Sequence, residues 1–174
     1  MRRHFFKLLC LLFLSVGCSV KSVEAPSEYM KKLSNLLQSL DIKIPKQQST
    51  SLSHNIFHKT AELTKAFKLT SPALWHNFLV NIGLRKRGLC FHWADALYIH
   101  LKLQEYSQYQ FHLVGANIGT FFEHNALVIV KKGGKVKDGV VIDPWRNSGK
   151  LYFSKIKDDK RYSWSHRPDR GCEP

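Results

Sequence analysis

Three residues have the types and spacing to do chemistry together: Cys90, His124 and Asp143. A thiol is a weak nucleophile until it ionises. A helix N-terminus supplies positive partial charge for that, and a neighbouring imidazolium supplies more. Cys90 follows Gly88 and Leu89 and opens an apolar stripe of Ala94, Leu97, Tyr98 and Leu101 at helical spacing. This predicts a helix from about Cys90 to Leu103 with the thiol in its first turn, on the buried face. His124 begins one β-prone run, Asn125 to Val130, and Asp143 ends another that starts at Val140. Between them stands Lys131-Lys132-Gly133-Gly134-Lys135, and Gly-Gly is a hairpin turn signal. With a two-residue turn, paired residue numbers sum to 267, which sets His124 opposite Asp143 at the open end of the hairpin. A longer loop through Asp138-Gly139 moves the pairing by a few residues and leaves both groups at the same end. Cross-strand neighbours have Cβ atoms about 5 Å apart, within reach of a hydrogen bond between imidazole and carboxylate.

The chemistry such a set performs is thiol-dependent acyl transfer. Cys90 would attack, His124 would move the proton, and Asp143 would orient the ring and stabilise its charge. The Cys90 backbone N–H at the helix start is a natural oxyanion donor. For a second donor or a substrate contact, His92 and Trp93 are candidates by nearness alone. Each residue also has a plainer reading. Cys90 fits a packing position or one half of a disulfide with Cys172. His124 fits a surface strand end. Asp143 before Pro144 fits a turn. Trp145-Arg146 and Trp164 fit core or rim positions, and one of these aromatics could wall a substrate groove.

The order of these elements resembles the transglutaminase-like branch of the papain-like cysteine peptidases. Arg87-Gly88-Leu89-Cys90-Phe91-His92-Trp93-Ala94, Glu123-His124-Asn125-Ala126 and Val141-Ile142-Asp143-Pro144-Trp145 carry the likeness, across about residues 70 to 155. It implies Cys90 as nucleophile, His124 as general base and Asp143 as orienting residue. It also implies an α+β fold with a nucleophile helix packed on an antiparallel sheet. The family often has an aromatic shortly after the histidine; here Asn125, Ala126 and Leu127 follow.

The elements that must position these residues lie in the domain expected over residues 53–174. A loose helical pattern runs through Ile56, Leu63 and Phe67. Ser71-Pro72 reads as a helix start, followed by Leu74, Phe78 and Leu79 at helical spacing and by Gly83 as a stop. Arg85-Lys86-Arg87 is a basic loop before the cysteine helix, and Leu151 to Phe153 is a possible last strand. His54 and His58 are four apart, but Asn55 stands where a zincin carries glutamate. Cys90, His92 and His124 lack a CxxC or a second close pair. No metal and no cofactor is expected.

Residues 1–17 read as a signal peptide. Arg2, Arg3, His4 and Lys7 form a cationic start, and Leu8 to Val16 is apolar but short for a membrane span. The run ends Leu14-Ser15-Val16-Gly17-Cys18, similar to a bacterial lipoprotein signal in which Cys18 is lipidated. The favoured leucine lies three residues before such a cysteine, where Ser15 stands here. Cleavage after Gly17 by ordinary signal peptidase is the alternative. Either route predicts export to the bacterial cell envelope, facing the periplasm or the exterior, where cysteines can pair. Residues 18–52 are polar and read as a tether.

The 174-residue chain has 27 Lys and Arg against 13 Asp and Glu, a formal charge of +14. Residues 1–17 hold three of the cations and no acid, so without them 24 face 13, or +11. That excess mildly favours an anionic wall or lipid partner. No zinc finger, helix-turn-helix or RNA-recognition signature accompanies it, so no specific nucleic acid is expected. The expected substrate is an envelope protein or a peptidoglycan peptide. The alternatives are a non-catalytic envelope binding module on a degenerate papain-like fold, and a polyanion binder acting through Arg85 to Arg87 and Lys131 to Lys137.

Overall fold

Two prolines open the first two helices, each just ahead of the helix where its missing N–H costs nothing. The computed structural model describes residues 18–20 and 26–168. Pro26 precedes α1 (Ser27–Gln38) and Pro45 precedes α2 (Lys46–Ala66). Cys18–Ser19 (β1) pairs antiparallel with Thr70–Ser71 (β2). Then come α3 (Ala73–Asn81), α4 (Cys90–Lys102), and five strands: β3 (Tyr109–Ala116), β4 (His124–Lys131), β5 (Val140–Asp143), β6 (Tyr152–Lys155) and β7 (Ser165–His166). The fold is mixed α+β, and its main sheet is antiparallel in the order β6-β5-β4-β3-β7.

β4 lies at the centre of that sheet and is buried on both faces. Leu127 and Ile129 face the main core with Trp93, Leu97 and Leu101 of α4. Val128 and Val130 face a smaller cluster with Val114 and Val141. The start of β4 is thereby fixed against the start of α4, and these two ends carry His124 and Cys90.

Residues 27–52, expected as part of a tether, are a correction: they form α1 and the first turns of α2. Leu33, Leu37, Ile44 and Leu52 are buried in the main core. The polar composition misleads because hydroxyl side chains lie in the α1–α2 contact with their hydrogen bonds made locally. Ser53 Oγ donates to Met30 O at 2.7 Å, Ser49 Oγ to Lys46 O at 2.9 Å, and Ser34 Oγ meets Thr50 Oγ1 at 3.0 Å. A satisfied hydroxyl can be buried without the penalty of an unpaired one. The folded unit therefore reaches well ahead of Ser53. Residues 1–17 and Cys172 lie outside the described residues, as does the side chain of Cys18.

Two local expectations also change. Ser71 sits in β2 rather than capping α3, and α3 turns Leu74 and Phe78 outward while burying Ala73, His76 and Leu79. The β4–β5 connection is a longer loop, with a 3-10 turn at Val136–Asp138. Its pairs, such as Leu127 with Ile142, sum to 269 rather than 267. A shift of two residues leaves every side chain on its expected face.

Candidate active site

The loop before Cys90 is held around one glycine. Gly88 has φ +126°, and a Cβ there would meet His76 Nε2 at 2.1 Å. The Gly88 and Leu89 N–H groups both donate to His92 Nδ1 at 3.2 Å, and the Gly88 carbonyl accepts from Trp93 Nε1 at 3.1 Å. His76 is fully buried beneath. Its Nδ1 accepts from the Thr70 N–H at 3.2 Å, so its Nε2 carries the proton donated to the Arg87 carbonyl at 2.9 Å. Burial holds this imidazole neutral, below its ordinary pKa. Helix α4 thus begins at Cys90 with its preceding turn locked by three side chains.

His92 and Trp93, expected as possible oxyanion or substrate groups, hold that turn through His92 Nδ1 and Trp93 Nε1. His92 caps its own helix, and Trp93 is buried against Phe67 in an edge contact of 4.9 Å between ring centroids.

Cys90 carries a free thiol and is 8% exposed. His124 is 2% exposed and Asp143 1%. His124 Nε2 donates to Asp143 Oδ2 at 2.7 Å. Nδ1 is buried and has no hydrogen-bond partner, and His124 and Cys90 act on each other electrostatically. The other carboxylate oxygen, Oδ1, accepts from the Trp145 and Arg146 N–H groups at 3.1 and 3.2 Å. Asp143 therefore makes the turn through one oxygen and bonds the His124 ring through the other.

Burial alone would raise the Cys90 thiol. The neighbouring His124 outweighs it, helped by the Asn125 backbone and side chain, and the thiol lies below its ordinary range. Burial likewise opposes charge on His124. The hydrogen bond to Asp143, and then the interaction with Cys90, reverse this and raise the imidazole to about 9. Asp143 is held below the usual carboxylate range against its burial, by His124 first and Arg146 next. These shifts favour a thiolate beside an imidazolium.

No role at the site was expected for Arg146, Asp159, Asn125 or His76. Arg146 Nε donates to Asp143 Oδ2 at 2.6 Å, while its other nitrogens reach Asp159 at 3.2 and 2.7 Å. The guanidinium lies 3.7 Å from the Tyr152 ring centroid. Asp159 also accepts from Trp164 Nε1 at 2.9 Å. Trp164, Tyr162 and Trp145 surround the His124 ring, with centroids 5.4, 4.6 and 4.7 Å away. Asn125 Nδ2 lies 3.9 Å from Cys90 Sγ and donates to Glu123 Oε1 at 3.2 Å. His76 completes the set. A signal was available for Asn125 and Arg146: the first is a polar residue early in an otherwise apolar strand, and the second stands three beyond a turn-forming aspartate.

Ahead of His124, the loop between β3 and β4 exposes Phe121 (96%) and Phe122 (75%). Among the described residues no group of three or more His, Cys, Asp or Glu side chains is arranged to hold a metal ion. No helix of the described residues is long and apolar enough to cross a membrane.

No protein-family model, no curated protein and no solved structure matches the chain.

Proposed function

We propose that the protein is a thiol-dependent acyl transferase or amide hydrolase with a papain-like, transglutaminase-like core. The observation that carries this reading is the buried line from the Cys90 thiol through His124 to Asp143, with the thiol shifted down and the imidazole shifted up. The Cys90 thiolate attacks a carboxamide carbonyl, a C–S bond forms, and the C=O pair moves to oxygen. As the tetrahedral intermediate collapses, the C–N bond breaks and the His124 imidazolium gives its proton to the leaving amine. Water or a second amine then attacks the thioester, and His124 takes its proton. The products are an acid or a new amide, and the free thiol. Asp143 keeps the ring oriented throughout, with its own position fixed by Arg146 and two backbone N–H groups.

The setting is the bacterial cell envelope, with residues 1–17 as signal peptide, Cys18 as lipidated anchor, and an envelope protein or wall peptide as substrate. Exposed aromatics at Phe121 and Phe122 suit an apolar flank on that substrate. The test is incubation of the purified chain with peptide and muropeptide amides, with released amine and new amide read by mass spectrometry. Turnover that Cys90→Ala abolishes is expected. Equal turnover by Cys90→Ala would overturn the reading.

A second reading rests on the closeness of the cover over His124. With Tyr162 and Trp164 packed at a tilt against a ring 2% exposed, the same fold serves as a non-catalytic envelope binding module. It predicts envelope binding without turnover, unchanged in Cys90→Ala.

A further inference from the structure

Acyl transfer at Cys90 needs a second donor to the oxyanion, because one backbone N–H at the helix start leaves the developing charge half-served. Trp93 Nε1 is committed to Gly88 O, and His92 turns its Nδ1 to the Gly88 and Leu89 N–H groups. The geometry points to the side-chain amide of Asn125 as that donor, aimed by Glu123 and Arg167. This assignment rests on the acyl-transfer reading and names a further residue within it.

Asn125 is buried, and its Nδ2 lies 3.9 Å from the sulfur. The oxyanion forms two bonds away from that sulfur, and a useful donor lies about 2.7–3.1 Å from the oxyanion rather than from the nucleophile. An amide nitrogen at 3.9 Å from Sγ is within reach of it. The contact to sulfur in the resting state is long and weak, and the hydrogen bond to oxygen forms only when charge appears there. An interaction made mainly in the transition state is the kind that raises turnover.

The amide cannot flip to present its oxygen without losing its aim. One Nδ2 proton goes to Glu123 Oε1 at 3.2 Å, and an ionised carboxylate only accepts. Glu123 is itself fixed from two sides: Oε2 accepts the Gly119 N–H at 2.9 Å, and Oε1 pairs with Arg167 Nη1. Arg167 follows β7, and its N–H donates to the Leu113 carbonyl of β3 at 2.9 Å. Glu123 and Arg167 are positioning residues, and Asn125 is the group that would touch the reacting oxygen. The attack places the C=O pair on oxygen, Asn125 donates to it, and the pair returns when the C–N bond breaks.

Two reactions at one sulfur separate this role from a structural one. Alkylation by iodoacetamide displaces iodide and builds no oxyanion, whereas acylation by p-nitrophenyl acetate passes through a tetrahedral oxyanion. Both rates are measured on the full chain at alkaline pH where Cys90 is fully ionised, by p-nitrophenolate absorbance and intact mass. Asn125→Ala is expected to slow acylation about 10²–10³-fold and alkylation by far less. Asn125→Leu keeps the branched shape without a donor and is expected to behave alike if the alanine variant folds poorly. Glu123→Gln is expected to lower the ratio of acylation to alkylation in the same direction, by a smaller factor. Parallel losses in both reactions, or no loss in acylation, would overturn the assignment. A wild-type chain that alkylates at Cys90 but is not acylated would overturn the acyl-transfer reading itself, and this assignment with it.

Discussion

Replacing Gly88 with alanine tests how the nucleophile is held. The added methyl would lie 2.1 Å from His76 Nε2 and 2.5 Å from Cδ2, far inside contact distance. His76 is fully buried and tied at both nitrogens, so it cannot swing aside and keep its bonds to Thr70 and Arg87. The backbone at φ +126° is also strained for any residue with a Cβ. Such backbone strain costs about 1–3 kcal/mol. A buried group left unpaired costs about 1–3 kcal/mol more. Gly88→Ala is therefore expected to destabilise by about 2–6 kcal/mol and to slow Cys90 alkylation, since Gly88 is two residues from the thiol. The assay is urea unfolding followed by tryptophan fluorescence, run as a double-mutant cycle with His76→Ala. Removing the imidazole removes the clash, so Gly88→Ala in that background should cost only the backbone strain. The expected coupling is about 1–3 kcal/mol. Equal costs in both backgrounds would refute the argument that His76 is what demands a glycine there.

Leu37→Ala should destabilise by about 2–5 kcal/mol in urea unfolding, because α1 is core; a change within error would restore the tether. Arg146→Met should cost about 3–5 kcal/mol, since it leaves Asp143 and Asp159 buried without their shared cation; thermal unfolding at neutral pH reads it. Asp143 and Asp159 both lie below the ordinary carboxylate range, burial being outweighed by His124 and Arg146 for the first and by Arg146 and Trp164 for the second. Their contribution is present above the unfolded carboxylate pKa of about 4 and lost as pH falls through the folded values. Urea midpoints should drop below about pH 4, and Asp159→Asn should flatten that acid limb.

The candidate site was legible in the sequence where chemistry coincides with periodicity. Cys90 could be set at a helix start because Ala94, Leu97 and Leu101 follow at helical spacing, and each is buried. His124 and Asp143 could be brought together because a hairpin must join their strands, and the two-residue error in register preserved the face. What stayed hidden depends on partners far away in the chain. His76 sits under Gly88 only after α3 packs beside the loop. Asn125 acquires meaning from Cys90 and Glu123, and Arg146 from Asp159. The sequence between Ser27 and Leu52 reads as a polar tether because composition counts a hydroxyl as polar wherever it points, whereas Ser34, Ser49 and Ser53 are buried with partners. The apolar spacing on α3 misled in the opposite sense, since Leu74 and Phe78 face outward.

The most direct measurement is the rate of Cys90 alkylation by iodoacetamide from pH 4 to 10, with the modified residue mapped by mass, in the wild-type chain and in His124→Ala. The imidazole keeps its proton up to about pH 9, and the thiol is held below its ordinary range. Fast alkylation is expected below the usual thiol pKa of about 8.5, with the midpoint moving upward in His124→Ala. A wild-type thiol that titrates at or above about 8.5, or a midpoint that His124→Ala leaves in place, would contradict a thiolate held by imidazolium and the proposed chemistry with it.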